Sequence, residues 1–163
     1  MNQNVNQADI EILKGRRILF VEDRGEVIDF FLEELQEVTE GTVEITRAKT
    51  LSEAVREITE AMQKFDLIVI DLHMPSEFPD ELKPFADLIN PDINEGQTLG
   101  LWLHKFHEET PYLYLSSVPE AYRPHPDDTP TEPEPVNKFL ESPFDFPKRL
   151  AAVLLSCPGR KAR

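Results

Sequence analysis

Residues 66–75 read DLIVIDLHMP: Leu67, Ile68, Val69 and Ile70 run without interruption and stop at Asp71. A short run rich in β-branched residues reads as a strand, and one that is apolar at every position is covered on both faces. Strands of that kind lie in parallel sheets with helices on either side. Residues 18–21 repeat the pattern and close on Glu22 and Asp23.

The rest of the chain supplies the alternation such a sheet needs. Val27, Ile28, Phe31, Leu32 and Leu35 follow the first run at helical spacing, and Val43 and Ile45 alternate with polar neighbours as in a strand nearer a sheet edge. Thr50 or Ser52 caps a helix whose apolar stripe is Leu51, Val55, Ile58 and Met62. After the opening run, prolines break the pattern across residues 76–94, where FADLIN has room for a helical turn or two. A helix with Leu99, Trp102, Leu103 and Phe106 on one side follows, then a fourth strand in PYLYLSS. Residues 119–135 carry six prolines and five acids and read as a loop. VNKFLESPF gives a short fifth strand and DFPKRLAAVLLS a last helix. The expected fold is α/β, a doubly wound five-stranded parallel sheet. The expected organisation is a polar extension over residues 1–14, one domain over 15–156 with insertions at about 76–94 and 119–135, and a basic tail over 157–163.

Composition narrows the function. The 163 residues carry a formal net charge of −14, which repels nucleic acid and anionic membranes. The single Cys157 permits no internal disulfide, and no apolar run reaches the length of a membrane span. The polar start lacks the layout of a signal peptide, so the expected location is cytoplasmic. In open parallel sheets the ligand site lies beyond the carboxyl ends of the strands. Glu22, Asp23 and Asp71 stand at such ends. Three carboxylates in one crevice raise one another's pKa, and a hard cation relieves the repulsion.

Other chemistries have weaker signals. His104 and His107 share a helix face without a third soft ligand. Gly25 alone does not make a phosphate loop after the first strand. A haloacid-dehalogenase-type phosphatase needs a second Asp where His73 stands.

At this point residues 17–155 resemble the receiver domain of two-component response regulators, which has a flavodoxin-like fold. ILFVED is similar to the family's first strand with its acidic pair, and LIVIDLHMP to its phosphoacceptor strand with the Met-Pro that follows. Glu95–Gly96 resembles the acidic-Gly step before the family's third helix, PYLYLSS the fourth strand, and FLESPF the fifth-strand segment.

The resemblance implies a stand-alone receiver that accepts a phosphoryl group on Asp71 and signals through protein contacts. Its phosphotransfer would be self-catalysed rather than that of a turnover enzyme. It implies Mg²⁺ held by Glu22, Asp23, Asp71 and the backbone carbonyl of His73. Ser116 would hydrogen-bond a phosphoryl oxygen and Phe139 would be the switch aromatic. The implied partners are a histidine kinase or phosphotransfer protein, a downstream protein, and a second copy of the chain.

The pattern departs from the family at the lysine. The register that keeps the aromatic, the proline and the second phenylalanine together puts Ser142 there. A second register puts Lys138 there and displaces the aromatic and the proline. We take Ser142, so the pocket is expected to lack its cation. That expectation supports an alternative, a phosphorylation-independent interaction module of receiver-like fold. The Pro-rich residues 119–135 take most of the place of the family's fourth helix, so the usual output face is expected to be rebuilt. Residues 76–94 are expected to be a surface excursion, with a lid over the site mouth as the other reading.

Overall fold

The computed structural model describes residues 5–89, 92–138, 142 and 145–156. Five strands form one parallel sheet: β1 (Arg17–Val21), β2 (Glu44–Ala48), β3 (Leu67–Asp71), β4 (Tyr112–Ser116) and β5 (Val136–Asn137), in the order β2-β1-β3-β4-β5. The helices are α1 (Gln7–Leu13), α2 (Asp29–Val38), α3 (Leu51–Glu60), α4 (Lys83–Ala86), α5 (Glu95–Phe106) and α6 (Phe146–Leu155).

The uninterrupted apolar strands are explained by two cores. In β3, Leu67 and Val69 face a cluster that includes Phe20, Phe31, Leu113, Leu115 and Phe146. Ile68 and Ile70 face the other, with Leu19, Val21, Leu99, Trp102 and Tyr114. Each fully buried aliphatic side chain contributes about 1.5–3 kcal/mol, so a strand with both faces covered gains at every position.

Side-chain caps open α3 and α5. Thr50 Oγ1 accepts the Glu53 N–H at 3.0 Å, so Thr50 rather than Ser52 caps α3. At α5 the Gln97 side-chain oxygen accepts the Asn94 N–H at 2.8 Å.

The structure departs from the sequence reading in four places. Helix α3 ends at Glu60, which leaves Met62 outside its apolar stripe and fully exposed. Phe106 ends α5 and is exposed, while Leu99, Trp102 and Leu103 are buried. The fifth strand is only Val136–Asn137. Part of the polar N-terminal stretch is a helix: α1, capped by Asn6, packs against α6 and buries Leu13 completely. Arg16, itself buried, donates from Nε to the Ile12 carbonyl at 2.8 Å and so satisfies one of the helix's last acceptors.

Both insertions pack on the domain. Residues 76–89 carry α4, which packs against α5, and bury Leu82 in the second core with Phe78 and Phe85 against it. Residues 119–135 begin as a single 3₁₀ turn, Pro119–Ala121, and continue without helix to β5. Among the described residues no helix is long and apolar enough to cross a membrane.

Candidate functional site

The site lies where the strands exit the sheet. The β1–β3 register pairs Val21 with Ile70, which carries Glu22 to the level of Asp71. Asp71 pairs with Leu115, Ser116 pairs with Asn137, and the Lys138 N–H donates to the Ser116 carbonyl at 3.0 Å. Sheet register alone therefore gathers Glu22, Asp71, Ser116 and Lys138 in one layer.

Lys138 Nζ stands 2.8 Å from Glu22 Oε2 and 3.2 Å from Asp71 Oδ2. Its side chain is 8% exposed, against 1% for Glu22 and 3% for Asp71. This corrects the expectation of a pocket without a cation. The sequence register follows the Pro-Phe pair after Ser142, whereas β5 stops two residues after it starts and delivers Lys138 straight into the pocket. Ser142 stands instead at the approach to α6, its carbonyl accepting the N–H groups of Asp145 and Phe146. Arg24, next in sequence to Asp23, is exposed and pairs with Glu26.

Carboxylate oxygens of Glu22, Asp23 and Asp71 lie within 4.8 Å of one another, with Asp23 the more open to solvent. Glu22 Oε1 accepts the Arg24 N–H at 3.1 Å, and Asp71 Oδ1 accepts the His73 N–H at 3.0 Å, so the backbone fixes both acids. Burial pushes the Glu22 carboxyl up to about 7; the Asp71 charge adds to this and Lys138 opposes it. Burial works against the charge on Lys138, but the two carboxylates beside it win and hold its pKa above the ordinary value. Three hard oxygen donors, two of them buried and one costly to ionise, fit a divalent cation of the Mg²⁺ type.

Two neighbours shape the pocket. Ser116 is fully buried and its Oγ accepts the Val118 N–H at 2.9 Å. Gly96 donates its N–H to the Leu72 carbonyl at 2.8 Å and brings the first turn of α5 against the exit of β3.

The remaining candidates are dispersed. His104 Nδ1 is 3.0 Å from Thr129 Oγ1, and the His107 ring packs 4.7 Å from that of Trp102. Phe139 and Cys157 lie outside the described residues. One cluster escaped the sequence reading altogether. Asp128, in the Pro-rich insertion, is buried and accepts the hydroxyls of Tyr112 and Tyr114, each at 2.7 Å, and of Tyr122 at 3.2 Å.

A doubly wound parallel sheet in the order 2-1-3-4-5, with acids at the exits of its central strands, defines a flavodoxin-like α/β protein. More narrowly, the fold is that of response regulator receiver domains. The chain is similar to the receiver domain of the Francisella response regulator 1452, at 20% identity over 86% of this chain and 97% of that one, with a TM-score of 0.52. It is also similar to a receiver domain protein from Methanospirillum hungatei, at 19% identity over 85% of this chain and 93% of that one, TM-score 0.53. Of a receiver domain protein from Clostridium thermocellum it spans 64%, with 62% of this chain covered, 19% identity and a TM-score of 0.42. No family model and no curated protein matches the sequence.

Proposed function

We propose that the chain is a response regulator receiver that takes a phosphoryl group on Asp71. The observation that carries the reading is Lys138 Nζ set between the buried carboxylates of Glu22 and Asp71, with Asp23 at the mouth of the same pocket at the strand exits. Glu22, Asp23, Asp71 and the His73 carbonyl would hold Mg²⁺, which when bound neutralises charge on the transferring group.

The Asp71 carboxylate forms a bond to phosphorus while the bond from phosphorus to the donor breaks. With a phosphohistidine donor, the electron pair leaves on the imidazole nitrogen, which takes a proton. Lys138 is placed to move from Glu22 toward a phosphoryl oxygen as a charge-assisted donor. The Ser116 hydroxyl, at the next strand exit, is the second donor. Transfer of this kind is positioning plus electrostatics, and both are supplied by groups fixed to strand ends. A histidine kinase or phosphotransfer protein is the matching donor, and output runs through protein contacts.

The phosphorylation-independent module keeps the rebuilt segment 119–135 in its favour but loses its main support, the missing lysine. Incubation with Mg²⁺ and acetyl phosphate, followed by intact mass, separates the two. A gain of one phosphoryl group that Asp71→Asn abolishes is expected. No gain, together with no binding of beryllofluoride, would establish the module instead.

A further inference from the structure

We propose that the groove between the 76–89 insertion and the end of α5 docks a partner polypeptide segment that presents an aliphatic or aromatic side chain beside a lysine or arginine. The groove shares no lining residue with the acidic pocket, and the proposal stands whether or not Asp71 takes a phosphoryl group.

The insertion builds one wall and α5 the other. Leu82, fully buried in the second core, anchors the insertion. Pro84 and Phe85 of α4 then line one space with Trp102 and Phe106 of α5 and with His107, which follows that helix. The space is about 600 Å³, inside the roughly 300–1,000 Å³ of ligand sites. The rings of the α5 wall form one surface: the Trp102 centroid is 6.4 Å from that of Phe106 and 4.7 Å from that of His107. Trp102 is the buried support, while Phe106 stands 59% exposed. Covering Phe106 with an apolar side chain removes that ring from water, which is the favourable term for docking.

Charge selects the occupant. Lys105 Nζ lies 5.4 Å from the centroid of the Phe106 ring, so this aromatic face already holds an ammonium group. Asp80 and Glu81 line the same space. Asp80 reaches Lys83 at 2.6 Å, an exposed pair that an incoming cation exchanges at little cost. Burial lowers the pKa of His107 from its ordinary 6.5, so that ring is uncharged at neutral pH and repels no cation. The groove runs on past Thr59 and Glu81 along α3, where Glu60 adds a third acid and Arg56 a second cation. Three acids against two cations leave the lining negative. The formal charge of −14 on the chain has the same sign, so a basic segment is drawn in and an acidic one is repelled. A groove that continues along a helix, with an aromatic floor and charged edges, admits a length of chain through one anchored side chain.

Trp102 is the single tryptophan of the chain, so its emission reads the groove directly. Two acetylated hexapeptides without Trp or Tyr, a central Leu-Phe pair flanked by Arg or by Glu, are titrated into the whole chain in the absence of Mg²⁺ and phosphodonor. The Arg-flanked peptide is expected to shift the emission saturably and to bind about tenfold more tightly than the Glu-flanked one. Phe106→Ala, at an exposed helix end, is expected to weaken binding by about tenfold, the effect of truncating an interface aromatic. Asp80→Asn combined with Glu81→Gln, both at exposed positions, should remove the preference between the peptides and keep the apolar contact. Circular dichroism checks that the variants are folded. No saturable shift with the Arg-flanked peptide at millimolar concentration overturns the proposal. Equal binding of the two peptides by the wild type also overturns it, since the groove would then be an unselective apolar cleft. Self-association in sedimentation that Phe106→Ala abolishes would assign the groove to a second copy of the chain and overturn it as well.

Discussion

A Cβ built on Gly96 would lie 2.0 Å from the backbone carbonyl oxygen of Asp71. The obstacle is main chain on both sides, so no side-chain rotation relieves it. Gly96→Ala is therefore expected to push the first turn of α5 away from β3 and to break the Gly96–Leu72 bond. Overpacking of this kind costs about 1–3 kcal/mol. Urea unfolding measures the loss, and the phosphoryl gain at Asp71 should fall with it. Unchanged stability would show that the turn gives way freely.

On the proposed reading, a change at Lys138 should separate binding of the cation from binding of the phosphoryl group. In Lys138→Met the two buried carboxylates lose the positive charge beside them, and a metal ion no longer competes with an ammonium for them. Mg²⁺ affinity is expected to hold or rise. Beryllofluoride affinity is expected to drop by about tenfold to a hundredfold, the worth of one charge-assisted hydrogen bond. Titration calorimetry reads both. Equal loss of the two ligands would point to a collapsed pocket, which Lys138→Arg, with its charge kept, would be expected to repair in part.

What the sequence showed clearly was set by local rules. The residue runs 18–21 and 67–70 can be covered only in a two-faced parallel sheet, and their acids must then exit on one edge, as Glu22 and Asp71 do. Lys138 was harder because its position depends on where a two-residue strand stops, and a composition rich in proline gives no periodicity to count. The usable signal was Val136, the last apolar residue before polar Asn137 and Lys138. Helix α1 was hidden because only Leu13 on it is fully buried. Asp128 had no local signature: it follows Asp127 in the same proline-rich run, and only the long-range placement of three tyrosines distinguishes them. Gly96 was read through the family resemblance, while its cause, the Asp71 carbonyl, is tertiary.

Glu22 gives the protein a pH dependence with a defined sign. Its carboxyl is pushed up to about 7 from an ordinary 4.5, by burial first and then by Asp71. The folded chain therefore holds this proton more tightly than the unfolded one. The stability it contributes is complete below about 4.5 and is lost as pH rises through about 7. Lys138, with its pKa raised, stays charged across that window and adds no slope there. In chelator, thermal stability is expected to fall through the window, with Glu22 contributing on the order of 3 kcal/mol. Glu22→Gln should flatten the fall. On the proposed reading Mg²⁺ is held by the ionised carboxylate, so the stabilising effect of added Mg²⁺ should grow as the pH passes 7. A wild-type profile as flat as that of Glu22→Gln would remove Glu22 as the cause.

All three tyrosines of the chain, Tyr112, Tyr114 and Tyr122, donate to the one carboxylate of Asp128. Burial, and then the negative charge of Asp128, raises the pKa of each above the ordinary 10.0. The space for this cluster is reserved by Gly100, where a Cβ would meet the Tyr114 hydroxyl at 2.0 Å. Two consequences follow for alkaline solution. The native protein should show no tyrosinate absorbance near pH 10, and the signal of all three rings should arrive together when the chain unfolds at higher pH. The sign agrees, since a phenol that ionises later in the folded state contributes stability that is full below its unfolded pKa and is lost as the pH climbs past it. Asp128→Ala leaves the tyrosine hydroxyls and one of the two Gln97 amide hydrogens without their acceptor, at a cost of about 2–4 kcal/mol. In Asp128→Asn the charge is gone while most of the contacts can persist, so tyrosine ionisation should move to lower pH. Ultraviolet titration of wild type and both variants checks the set; a native wild-type tyrosine that titrates near 10 would show that Asp128 does not hold that ring.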